Sequence, residues 1–207
     1  MSKHFNAGNV FGKVTEVKEE KSDKGKPYLQ ISVDTSGDKS GRVTAYCRMW
    51  GEQRINEFMN EWKRFPTEAY WFRGFLGQYT SKSGDILSNF TVFNFERKPA
   101  EKRAVFVLKG IVSHQPSATV DGGQRFLMEV TRDDGQGNDN TESYELWSPG
   151  EKLLDPVSHG DLVEVKGLIR QKDVDGFYGG SEGPVRAYVD ILKVIPQEAI
   201  SDEDVTY

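Results

Sequence analysis

Cysteine occurs once in these 207 residues, so no disulfide can form within the chain. The single thiol, Cys47, falls on the apolar side of an alternating stretch, where it fits as a small core residue. No run approaches the roughly 18 apolar residues of a membrane span, and the opening MSKHFNAGNV has no apolar signal core. These absences predict a reducing, cytoplasmic setting without membrane contact. Histidine is scarce too: His4, His114 and His159 are scattered, and none sits in a metal-binding pattern. There is no phosphate-cradling glycine loop, and SKSGD is not a nucleophile elbow. The acidic stretch RDDGQGNDN (132–140) lacks the spacing of a calcium loop and reads as a hairpin connection. The expectation is a protein with no metal, no cofactor and no catalysis. Carboxylates brought together only in space are the route to a nuclease that this reading leaves open.

A positive net charge is also missing. The formal charge of −5 argues against a polyanionic partner, but it averages two unlike halves. Residues 1–103 hold 18 Lys/Arg against 13 Asp/Glu, whereas residues 104–207 hold 9 against 19. The first half is therefore basic and the second strongly acidic, and each half's field matters more to a partner than the whole-chain sum.

What is present is a β-rich pattern that repeats. GNVFGKVTEVKEE reads as a first strand, followed by the turn SDKGK and then PYLQISVD, with Leu29, Ile31 and Val33 inward and Tyr28, Gln30 and Ser32 outward. VTAYCRMW puts Val43, Ala45, Cys47 and Met49 on one face and Thr44, Tyr46, Arg48 and Trp50 on the other. QRINEFMNEWKRF carries Ile55, Phe58, Met59 and Trp62 at helical spacing, and Trp62 is expected in the core. AYWFRGFLGQYT and ILSNFTVFNFE are two further strands around the turn SKSGD. The second half echoes this order. FVLKGIVSH follows NVFGKVTEV, GQRFLMEVTRD follows GKPYLQISVDT, and SYELWSPGEKLLDPV follows AYCRMWGEQRINEF. DLVEVKGLIRQ then follows AYWFRGFLGQY, matching Gly167 to Gly74, and RAYVDILKVIP follows SNFTVFNFERKP. One ten-stranded sandwich would not produce the repeat. The prediction is all-β with a short helix: two tandem OB-fold modules, each a five-stranded Greek-key barrel, over 1–99 and 104–196, with an acidic tail at 197–207.

The first module resembles the bacterial single-stranded DNA-binding protein family. The resemblance rests on GKV near the first strand, the pair Trp50-Gly51 before the helix, Gly74 within the fourth strand, and the polar-tipped hairpin of the last two strands. The second module is similar more weakly, with Trp147 closing its third strand. The resemblance implies sequence-independent binding of single-stranded DNA in replication, recombination or repair. It also implies a tail that docks onto replication or recombination proteins. Here that tail would be Asp202, Glu203 and Asp204 followed by Val205, Thr206 and Tyr207. It is shorter than the family's and ends in Tyr where Phe is usual. Some relatives pair two-barrel chains, so a homodimer is expected by analogy.

Chemically, non-specific strand binding needs cations for phosphates and flat rings for bases. Tyr28, Tyr46, Arg48 and Trp50 form the expected platform, bordered by Lys13, Lys24, Lys26, Arg42 and Arg73, with Tyr79 and Lys82 at the last hairpin. Trp71, Phe72, Phe75, Phe90, Phe93 and Phe95 are expected mainly in the core or at an interface. The corresponding outward row of the second module is Ser143, Glu145 and Trp147. Glu145 there stands near the place of Arg48 and would repel phosphate, which predicts a weaker DNA binder, an oligomerisation unit or a partner platform. Two other readings stand beside this one. A tandem OB-fold adaptor would bury the outward rings against other proteins, and an RNA binder would use the same groove.

Overall fold

A computed structural model of the chain describes residues 4–36, 43–99, 102–119, 123–133, 139–148, 157–171 and 184–196. The first half contains β1 (Phe5–Lys21), β2 (Pro27–Asp34), β3 (Thr44–Trp50), α1 (Glu52–Arg64), β4 (Ala69–Thr80) and β5 (Ile86–Arg97). The second contains β6 (Arg103–Ala118), β7 (Gln124–Asp133), β8 (Asp139–Ser148), β9 (Leu162–Gln171) and β10 (Val185–Val194). Within the first half β1 pairs with both β2 and β4, β2 with β3, β3 in parallel with β5, and β5 with β4, which closes a barrel. The second half closes in the same order, β6 pairing with β7 and β9 and β8 running parallel to β10. Five strands in this order are the OB-fold, here twice in tandem.

The alternation read from the sequence decides which residues fill each barrel. Leu29, Ile31, Val33, Ala45, Cys47 and Met49 are fully buried, and burial pushes the Cys47 thiol pKa well above its ordinary value. Phe58 of α1 plugs the first barrel edge-on to Tyr70 and Phe95, with Ile55, Met59 and Trp62 packed at its rim. Gly51 takes a φ of 93° between β3 and α1, a left-handed turn that favours glycine, and so aims the helix back across the barrel mouth. Gly74 and Gly167 do the same job in the two modules. A Cβ on either would sit 2.1 Å from the Thr91 carbonyl oxygen or 2.2 Å from that of Tyr188.

The repeat extends to irregularities. The bulge after Val14 in β1 recurs after Val112 in β6, and the register shift that skips Phe93 in β5 recurs at Asp190 in β10. Being the skipped residue throws Phe93 outward, 52% exposed. One echo is displaced, however. In β2–β3 Tyr28 faces Trp50, whereas in β7–β8 Arg125 faces Trp147, so Phe126 takes the inward place of Leu29 and not the outward place of Tyr28. The core holds the apolar set, and the GQRF match slips by one residue to accommodate it.

The two barrels join through their first strands. β1 and β6 pair antiparallel, with Gly8 opposite Phe106, each six residues before its strand's bulge. Gly8 and Phe106 are therefore equivalent positions, and the joint is an internal copy of a two-fold strand pairing centred on them. Across the seam, Gln78 of β4 donates to the Glu145 carbonyl at 2.7 Å and accepts from the Glu145 N–H at 2.7 Å. Asn6 Nδ2 bonds the Leu76 carbonyl at 2.8 Å and the Tyr144 hydroxyl at 2.7 Å. These contacts seat β8 of the second module beside β4 of the first.

Candidate nucleic-acid interface

The outer face of β2 and β3 gathers the rings. Register places Tyr28 opposite Trp50 and Gln30 opposite Arg48, and the Tyr28 and Trp50 rings lie 4.7 Å apart, tilted by 37°. The Arg48 guanidinium sits 5.5 Å from the Tyr28 ring centre and 4.8 Å from that of Tyr79, which reaches in from β4. Lys26 stands 5.8 Å over Trp50. Tyr46 and Tyr79 are each 37% exposed. Between them lies a hollow of about 270 Å³ walled by Gln30, Tyr46, Arg48, Tyr79, Leu87 and Asn89. Sequence reading missed Gln30, Leu87 and Asn89. The alternation of SNFTV, with Phe90 and Val92 inward, was the available sign that Asn89 and Thr91 face out.

Two loops frame this face. The Ser22–Lys26 turn is closed by the Gly25 N–H on the Ser22 carbonyl at 2.7 Å and holds Lys24 and Lys26 in solvent. The β4–β5 turn is pinned by the Ser81 N–H on the Asp85 carbonyl at 2.8 Å and presents Lys82. Arg42 and the tail residues Asp202, Glu203, Asp204, Val205 and Tyr207 lie outside the described residues.

Two expected border cations stand elsewhere. Lys13 pairs with Asp34, six residues along β2 from Tyr28, about 20 Å at the rise of a strand. Burial favours a neutral Asp34, but hydrogen bonds from Ser36 and the Lys102 ammonium 3.0 Å away outweigh it and hold the carboxyl below its ordinary pKa. Arg73 lies 3.6 Å over the Trp71 ring, which also carries Lys98 at 3.6 Å and stacks on Phe11 at 5.4 Å. The Trp71 Nε1–H donates to Asn9 at 2.9 Å. The far end of β4 is thus a second ring-and-cation cluster, with Trp71 half-buried and Arg73 exposed, and neither Lys13 nor Arg73 touches the rings gathered on β2 and β3. Strand parity puts both outside the barrel but does not say which part of the outside.

In the second module Tyr144 and Leu146 point inward as expected, and Ser143, Glu145 and Trp147 form the outer row. Glu145 is only 8% exposed, and Arg125 lies 3.5 Å from its carboxylate. Arg186 covers Trp147 at 3.8 Å. The acid that replaces Arg48 therefore carries its own counter-ion, which softens the repulsion expected from sequence.

No family model and no curated protein matches the chain. Solved structures do. A deletion mutant of the single-stranded DNA binding protein from Thermus aquaticus superposes with a TM-score of 0.59 at 15% identity, over 98% of this chain and 100% of that one. The wild-type Thermus aquaticus protein gives 0.58 at 15% identity, over 95% and 96%. The chain shares their fold. Both barrels are included in that likeness, because it spans nearly the full length of each chain. Among the described residues no three His, Cys, Asp or Glu side chains are grouped to hold a metal ion. No helix there is long and apolar enough to cross a membrane.

Proposed function

We propose that this chain binds single-stranded DNA without sequence preference and serves DNA replication, recombination or repair as a non-catalytic cytoplasmic protein. The observation that carries the reading is the convergence of Tyr28 and Tyr79 on Arg48, with Trp50 packed against Tyr28 on the same face, between loops bearing Lys24, Lys26 and Lys82. The shared fold of the Thermus aquaticus protein supports it. Magnitudes favour occupation by bases. Lifting Arg48 off Tyr28 and Tyr79 costs about 0.5–1 kcal/mol per ring, whereas a base stacked on each returns about 1–3 kcal/mol. The freed guanidinium then meets phosphate, and release of counterions adds a salt-dependent term.

The first module (1–99) carries most of this contact in the proposal, and the second (104–196) sets the far wall of the groove. A second copy of the chain and, through residues 197–207, replication or recombination proteins complete the set of partners. The test is a tryptophan-fluorescence titration with oligo(dT), a duplex and an RNA of equal length at several salt concentrations. Quenching by oligo(dT) that weakens with salt is expected. Silence toward all three would transfer the exposed rings to the adaptor reading, and tighter binding of the RNA would make RNA the ligand.

A further inference from the structure

The platform does not end at the hollow beside Arg48. Arg48 and Asn89 also line a second cleft, of about 370 Å³, that runs on between the modules. Its floor is Phe75 and Gly77 of β4, and its far wall is Glu142, Ser143 and Tyr144 of β8. That volume lies within the range of small-ligand sites. Gly77 keeps the cleft open, since a Cβ there would sit 2.6 Å from the Asn89 side-chain oxygen. Asn89 is only 4% exposed, borders both spaces and makes no side-chain hydrogen bond among the described residues. With no protein partner, its amide opens onto these two spaces, where a ligand can pair with it.

The far wall has a definite chemistry. Glu142 receives the Arg132 guanidinium at 2.6 Å on one carboxylate oxygen and the Tyr144 hydroxyl on the other. Asn6 in turn donates to the Tyr144 oxygen. Burial and the neighbouring Glu142 both raise the Tyr144 pKa, so the phenol stays a donor. The carboxylate is thus fixed, its charge is balanced by Arg132, and each oxygen keeps a lone pair for a further donor. Such a wall rejects phosphate and accepts N–H groups.

Resting on the strand-binding reading above, we propose that this inter-module cleft receives one nucleobase of the bound strand and selects cytosine or adenine over thymine. Arg48 at the shared mouth keeps the phosphate, while the neutral base enters. Cytosine and adenine offer an amino group to Glu142 and a neighbouring ring acceptor to the Asn89 amide. Thymine offers only N3–H flanked by two carbonyl oxygens, which face the carboxylate unfavourably. The second module therefore contributes selectivity at one position of an otherwise indifferent contact.

The experiment compares an oligo(dT) of minimal binding length with the same strand carrying a single central dC, dA or N4,N4-dimethyl-dC. Each is titrated by fluorescence anisotropy against the full chain and against Glu142→Ala. The dC and dA strands should bind about fivefold tighter than all-dT, the low end of what one good side-chain–base pair discriminates. The dimethylated base should lose that gain, and Glu142→Ala should bind the dC, dA and all-dT strands equally, whatever its common affinity once Arg132 is left unpaired. Equal affinity of the wild type for every strand, or a preference that survives Glu142→Ala, overturns the cleft proposal alone. The modified base tests the wild-type chain directly, so the result does not depend on how well the variant folds. Failure to bind any of the strands overturns the platform reading itself.

Discussion

The third strands of the two barrels present the same geometry with different chemistry. β3 turns Tyr46, Arg48 and Trp50 outward, and its cation rests between Tyr28 and Tyr79 at a solvent-facing hollow. β8 turns Ser143, Glu145 and Trp147 outward, but Gln78 claims the Glu145 backbone, Arg125 its carboxylate, and Arg186 the Trp147 ring. One row remains open to a ligand, while the other holds the neighbouring barrel in place. The two copies of the fold thus differ in what lies on the outer face of one strand, within barrels that close in the same order.

The sharpest way to break that contrast is to remove the two tryptophans in turn. Trp50→Ala should weaken oligo(dT) binding by about 1–3 kcal/mol, and Trp147→Ala by clearly less, in titrations at one fixed salt concentration. Equal losses would mean that both rows stack bases. Next come the paired glycines. Gly74→Ala and Gly167→Ala each drive a methyl into a backbone carbonyl, so each should lower stability by about 1–3 kcal/mol in urea melts. Only the first should also impair strand binding at temperatures where the chain remains folded. Gln78→Ala should cost about 1 kcal/mol, because water can reach part of what it exposes. Faster amide exchange at Glu145 would locate the loss, and unchanged exchange would remove Gln78 from the seam. Arg48→Glu should shorten the salt dependence by at least one phosphate contact, a slope change of roughly 0.7 for a single strand. A slope left in place would make Arg48 a stacking group only. The smallest signal is Cys47, whose buried thiol should resist alkylation at pH 8 until denaturant is added.

Much of the fold was legible because its signals are local. Alternation identified the inward faces of β2 and β3, helical spacing identified α1, and Trp50-Gly51 marked the turn between strand and helix. The repeat was legible because the same local signals recur in one order. That Tyr28 shares the outer face of Tyr46, Arg48 and Trp50 followed from strand parity, while its place opposite Trp50 came from the register. The slipped match at Phe126 was not legible, since two apolar-rich strands tolerate a one-residue offset until their partners fix the register. Arg73 and Lys13 were misplaced for a related reason. Period-two logic separates inside from outside but cannot divide the outside of a closed barrel into its separate faces.

The sequence by itself determined two β-barrels of opposite charge and an aromatic-cationic row on the third strand of the first, because side-chain parity is a property of the single strand. Only the tertiary structure decided that Tyr79 closes over Arg48, that Arg73 and Lys98 both lie against Trp71, and that Glu142 and Asn89 line one cleft. Those relations depend on barrel closure and on the β1–β6 pairing, which bring together residues far apart in the chain. No local pattern encodes a distance of that kind.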